Sequence, residues 1–125
     1  MIYKTSEILL PFERPPMTAN DQRRLKWPVV AAFKRDVSNV VYMYAKQMPD
    51  VAHGPSIVSI KWFAPDGRRR DVDCLGPFAK AVLDGLVKAG VWPDDHSGWV
   101  RELRLAIGSD RQQPRITIRI EECVV

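Results

Sequence analysis

Four aspartates fall in two close pairs, Asp71 with Asp73 and Asp94 with Asp95. Carboxylates that near one another repel when ionised, and each disfavours the other's charge. A hard divalent cation removes the conflict. Mg²⁺ takes oxygen ligands, binds through one or two carboxylates and keeps waters for phosphate oxygens. Three arginines, Arg68, Arg69 and Arg70, run directly into the first pair within the segment DGRRRDVDCL. Alone, such a run is a solvated face. Beside a metal site it holds phosphates while the metal acts on one of them. In an extended segment residues two apart point the same way, so Asp71 and Asp73 are expected to face one spot. A third carboxylate from the Asp94–Asp95 loop would close the site.

The plain alternative for each pair is solvated surface charge, because a lone D-x-D carries little information. Two pairs flanking one helix, with arginines against the first, are the argument for a site. Lys80 and Asp84 stand four apart, and spacing alone makes them a surface pair. In the functional reading, Lys80 lies near the helix start and neutralises a phosphate or a leaving oxygen. His96, after Asp95, is either a ligand or proton carrier or an exposed loop residue. His53 receives no role. Trp62 and Trp99 are expected in strands and in the core, with Trp92 packed beneath the acidic loop.

Positioning these groups falls to a short list of elements. Residues 2–10 predict a strand, ended by a loop at Pro11, Pro15 and Pro16. Thr18 to Lys26 is a polar, basic stretch of that loop with Asn20, Arg23, Arg24 and Lys26. Pro28 suits a first helical turn. Phe33, Val37, Val40, Val41 and Tyr44 then recur at helical spacing, to about Gln47, before Pro49. Residues 57–63 predict a strand. A second helix follows from Pro77, with Phe78, Val82, Leu83, Leu86 and Val87 buried and Gly90 as its stop. Residues 99–107 and 115–121 alternate as strands.

The order β-α-β-α-β-β predicts a single α+β domain over residues 1–125: one mixed sheet of about four strands with two helices packed on it. Strand order is not readable from the pattern. The 125 residues, 46% hydrophobic and 27% charged, suit one globular core, and the net charge of +4 permits a nucleic-acid partner without requiring it. Cys74 and Cys123 have neither metal-ligand spacing nor a disulfide framework, so a reducing, cytoplasmic compartment is expected. The N-terminus has no long apolar run, so neither a signal peptide nor a membrane span is expected, and no motif calls for an organic cofactor.

The run DGRRRDVDCLGPFAKAVLDGLVKAGVWPDD resembles the signature of RusA-type Holliday junction resolvases, small endodeoxyribonucleases of phages and prophages. That signature is an arginine run, D-x-D-N-L, a helix with lysine and aspartate, then A-G-x-W/L-x-D-D. The upstream PPMTANDQRRLKWPVVAAFKRDV resembles the family's N-terminal region. The resemblance implies that Asp71, Asp73 and Asp95 are the catalytic, Mg²⁺-binding aspartates, with Asp94 at the neighbouring acidic position. It implies that Lys80 is the essential lysine, if a short insertion in the helix is allowed. It also implies a homodimer, since two equivalent cuts across a four-way junction call for two equivalent sites.

The expected activity is therefore Mg²⁺-dependent hydrolysis of phosphodiesters in branched DNA, with Mn²⁺ as a substitute, in the bacterial host cytoplasm. Arg68, Arg69 and Arg70, with Asn20, Arg23, Arg24 and Lys26, would grip the DNA backbone. One residue departs from the pattern: Cys74 stands where the family has asparagine. Asparagine can cap a helix or hold an aspartate by hydrogen bonds, and a thiol is a soft ligand ill matched to Mg²⁺. A branched-DNA-binding protein with weakened catalysis is thus the alternative. A phage structural or interaction protein on the same fold is the third reading.

Overall fold

Alternating apolar positions build four strands, β1 (Ile2–Leu10), β2 (Ser56–Ala64), β3 (Val100–Ser109) and β4 (Arg115–Cys123). The computed structural model describes residues 2–48 and 50–123, apart from the side chains of Ile2 and Tyr3. The strands form one mixed sheet in the order β1-β4-β2-β3. β4 pairs antiparallel with both β1 and β2, whereas β2 and β3 run parallel. The inner strands supply the sheet's core: Val58, Ile60 and Trp62 from β2 and Ile116, Ile118 and Ile120 from β4. Ile60 lies opposite Ile118 in that register. β3 is an edge strand: beyond the buried Val100, Leu105 and Ile107 stay half covered and Leu103 is 41% exposed.

A parallel pair cannot be joined by a hairpin and needs a long crossover. Here the crossover holds a single 3₁₀ turn (Val72–Leu75) and the helix α3 (Gly76–Lys88). α3 packs on the long helix α2 (Trp27–Lys46). Val37 and Val41 of α2 join Phe78, Val82 and Leu86 of α3 in the core. Full burial of such a side chain stabilises by about 1.5–3 kcal/mol. The helices approach closely at Gly85, where an added Cβ would lie 2.6 Å from the Ser38 carbonyl oxygen and 2.8 Å from Val41 Cβ. Pro77 sits in the first turn of α3, and Gly90, with φ of 84°, turns the chain after it. Trp92 is fully buried, and its indole N–H donates to the Gly54 carbonyl at 3.0 Å.

Two expectations require correction. The stretch Thr18–Lys26 is not all loop, because Ala19–Arg24 forms a short helix, α1. Its cause is a capping box: the Thr18 hydroxyl accepts from the Asp21 amide while the Asp21 carboxylate accepts from the Thr18 amide. Trp99 lies in the turn before β3 rather than within it, half buried against the core. Pro49, expected to follow the long helix, lies outside the described residues. Among the described residues no helix is long and apolar enough to cross a membrane.

Candidate active site

The chain leaves β2 at Ala64 and turns at once. Asp66 Oδ1 accepts the Arg68 amide at 3.0 Å and lies 2.9 Å from Arg70 Nη1. Those two contacts, the backbone one first, hold the Asp66 carboxyl below the usual carboxylate range. The Arg70 guanidinium also lies 4.8 Å from the centre of the Trp62 ring, and its side chain is only 15% exposed. Arg70 is thus a strut that fixes the turn to the sheet. Arg68 and Arg69 remain in solvent.

Asp71 and Asp73 do not lie in an extended segment. Asp71 is the N-cap of the 3₁₀ turn, its carbonyl accepting the Cys74 amide at 3.1 Å, and Asp73 lies within that turn. Leu75, fully buried, anchors the turn, and Pro77 commits the chain to α3 directly behind it. Both carboxylates are exposed, and among the described residues no side chain pairs with either, despite the arginines beside them.

These groups line an open cleft of about 630 Å³. Asp71, Asp73, Arg68, Arg69 and Arg70 form one wall, and Asn20 and Arg23 of α1 reach it from a distant part of the chain. Arg23 donates to Asn20 Oδ1 at 2.6 Å. Arg24 pairs instead with Asp21 at 2.8 Å, and neither Arg24 nor Lys26 lines the cleft. Arg14 and Glu13 do line it and were not singled out from the sequence. The available signal was the neighbouring Pro15–Pro16, whose buried Pro15 fixes this segment beyond β1.

The second acidic pair follows the far end of α3. Asp94 Oδ1 accepts the Asp95 amide at 2.7 Å. Asp95 Oδ2 accepts from Lys80 Nζ at 2.7 Å, and Lys80 also pairs with Asp84 at 3.0 Å. The pairing with Asp84 is the one that spacing alone suggested; the bond to Asp95 was not foreseen. The bond to Asp95, then that to Asp84, pushes the Lys80 pKa up, and Lys80 in turn holds the Asp95 carboxyl down. Lys80 is the fifth residue of α3, so its bond to Asp95 brings the loop after α3 back toward the start of the helix, which Asp71 and Asp73 precede. Among the described residues no three His, Cys, Asp or Glu side chains are grouped to hold a metal ion. Lys80 ties that loop to α3 and, among the described residues, makes no pair with Asp71 or Asp73.

The donors nevertheless suit a hard cation: all are carboxylate oxygens, and those of Asp71 and Asp73 are uncommitted. Cys74 adds no ligand of that kind. It is half buried, and burial, with the nearby Asp73 charge second, pushes its thiol pKa up. Nor does it cap α3, whose start has no side-chain cap bond. His96 Nδ1 accepts the Gly98 amide at 2.9 Å, a bond within its own loop.

The family model of the endodeoxyribonuclease RusA matches residues 10–121. The chain belongs to the RusA family. The match takes in both acidic pairs, Lys80, the arginine run and α1, every part of the geometry above. RusA proteins are metal-dependent endodeoxyribonucleases of Holliday junctions, and they bind branched DNA. No curated protein matches the chain.

Proposed function

We propose that this RusA-family chain is a Mg²⁺-dependent, structure-selective endodeoxyribonuclease that resolves four-way junctions as a homodimer. The observation that carries the reading is the cleft, where two uncommitted carboxylates stand among cations drawn from two distant segments. A polyanion is attracted to such a surface, and a divalent cation lets its phosphate sit beside carboxylates.

Asp71, Asp73 and Asp95 would hold Mg²⁺, or Mn²⁺ in its place, with Asp94 beside them. When bound, the ion supplies an activated water and neutralises charge on the scissile phosphate. Arg68, Arg69 and Arg23 neutralise phosphates along the cleft, with Arg24 and Lys26 extending the basic surface beyond it. Asn20 orients Arg23. Arg70, held by Asp66 and Trp62, sets the position of the arginine run. Lys80 presents its ammonium where charge develops on a leaving oxygen. Contacts of this kind carry no base code, so shape governs binding and salt weakens it steeply. Two symmetric cuts require two sites, which a homodimer supplies. A phage or prophage origin and action in the host cytoplasm accompany this reading.

The test is cleavage of an end-labelled four-way junction with and without Mg²⁺ or Mn²⁺. Metal-dependent cutting that Asp73→Asn abolishes, while leaving junction binding intact, is the expected result. Equal binding of junction and plain duplex would sink the proposal. A second reading, a junction-binding protein with weakened catalysis, is favoured by the uncapped start of α3 behind Cys74. Binding without cutting at any metal concentration would select it.

A further inference from the structure

Trp27 has 78% of its surface in solvent, more than any other large apolar side chain among the described residues. The remaining tryptophans are covered: Trp62 and Trp92 are buried and Trp99 is half buried. Leu25 and Val29 are exposed on either side of Trp27 in sequence. The junction between α1 and α2 therefore displays an apolar surface that the core does not use.

Its surroundings are cationic. Arg23, Arg24 and Lys26 are exposed on the segment leading to Trp27. The one acid of α1, Asp21, is paired with Arg24 and bound to Thr18, and the first turn of α2 has no acidic residue. A second copy of this chain is a poor occupant, because a symmetric contact here would set these cations against themselves. A polyanion with flat apolar faces fits both halves of the surface. In duplex DNA the base faces are covered by their neighbours. At a branch point, a gap or a single strand they are free, and an exposed indole stacks on any of the four bases.

Arg23 gives this surface its direction. The same side chain lines the cleft of Asp71 and Asp73, so α1 leads from the candidate catalytic groups to Trp27. We infer that Trp27 is a stacking platform for an unpaired nucleobase of DNA whose backbone runs across Arg23 into the cleft. The inference rests on the proposed action on branched DNA and adds the residue that recognises the branch.

The experiment uses the full chain, a four-way junction carrying 2-aminopurine at the branch point, and a duplex of the same sequence. The junction is expected to quench tryptophan emission and to change 2-aminopurine emission; both effects are lost in Trp27→Ala. Junction affinity falls about ten-fold in Trp27→Ala, a typical cost of one lost stacking contact. It is largely kept in Trp27→Phe, and duplex affinity is unchanged in both. Junction binding with unaltered tryptophan emission overturns the inference and leaves the proposed function standing. Absence of any DNA binding overturns both. Shielding of Trp27 from acrylamide in the free protein, together with a dimer mass that Trp27→Ala reduces to a monomer, overturns the inference by making this surface an interface between copies.

Discussion

Lys80 and Asp95 are joined by a 2.7 Å hydrogen bond that spans the loop after α3. Its pH window follows from the two shifts. The Asp95 carboxyl is held down, so its share of the stability is present above the unfolded pKa, about 3.9, and fades as pH falls through the lower folded value. The Lys80 pKa is raised, so its share is present below about 10.4 and fades as pH rises through the higher folded value. Lys80→Met is expected to raise the Asp95 pKa in a carboxyl-carbon NMR titration. It should cost at most about 1 kcal/mol at pH 7, since Lys80 is well exposed, and progressively less as pH falls through the folded Asp95 pKa. An unmoved Asp95 titration would show that the bond does not persist in solution.

Asp71 and Asp73 make opposite demands on the free and the metal-bound protein. With no side-chain partner to lose among the described residues, Asp71→Asn and Asp73→Asn should each leave unfolding free energy within about 0.5 kcal/mol of wild type. The wild-type melting temperature should rise with added Mg²⁺, because a ligand of the native state stabilises by mass action. Neither variant should show that rise. A Mg²⁺-induced rise retained in both would place the ion elsewhere.

Arg69 and Arg70 are neighbours with different work. Arg70→Ala removes a guanidinium stacked on Trp62 and the packing of its stem, and should lower stability by about 1 kcal/mol in urea unfolding. Arg69→Ala should leave stability unchanged and reduce the slope of log affinity against log salt by about one. The reverse pattern would exchange the two roles.

How far these roles could be seen in the sequence differs by element. β3 and β4 were plain because a half-buried strand imposes a period of two, β2 because its run is rich in strand-forming residues, and the stripe of α2 for the corresponding helical reason. The order β1-β4-β2-β3 was not, since pairing between distant segments leaves no local mark. α1 was missed because it has no buried residue and so no apolar stripe; its sign was Thr18 followed by Asp21. The residue types of the candidate site stand in the sequence as the D-x-D and D-D pairs. The 3₁₀ turn under Asp71 and Asp73 was not legible, because it depends on Leu75 finding the core. The binding of Arg70 to Trp62 was equally hidden, since a strand tryptophan reads as core and an arginine in a run of three reads as surface.

Cys74 offers a clean substitution. Its thiol is partly buried and raised in pKa, so it is expected to react slowly with iodoacetamide at pH 7. Cys74→Asn should cleave junctions as fast as wild type or faster, with unchanged metal preference. Clearly slower cleavage, with folding intact by circular dichroism, would assign the thiol a role of its own.

Gly85 is where one methyl group should matter most. Gly85→Ala places a carbon within 3 Å of both Ser38 and Val41, and α2 and α3 must part to admit it. A loss of about 1–3 kcal/mol is expected in denaturant unfolding. Wild-type stability would mean that the helices slide without cost.

The arginine run, both acidic pairs and Lys80 all lie within the single crossover that joins the parallel strands β2 and β3. The rest of the chain supplies a scaffold and the distant cations of α1. For heredity, this makes the crossover a cassette. On the proposed function, substitutions inside it would retune or extinguish the chemistry while the sheet and the basic surface of α1 are inherited intact. On that reading a lineage would pass from cutting DNA to merely holding it, and back, by changes confined to one continuous stretch of its gene.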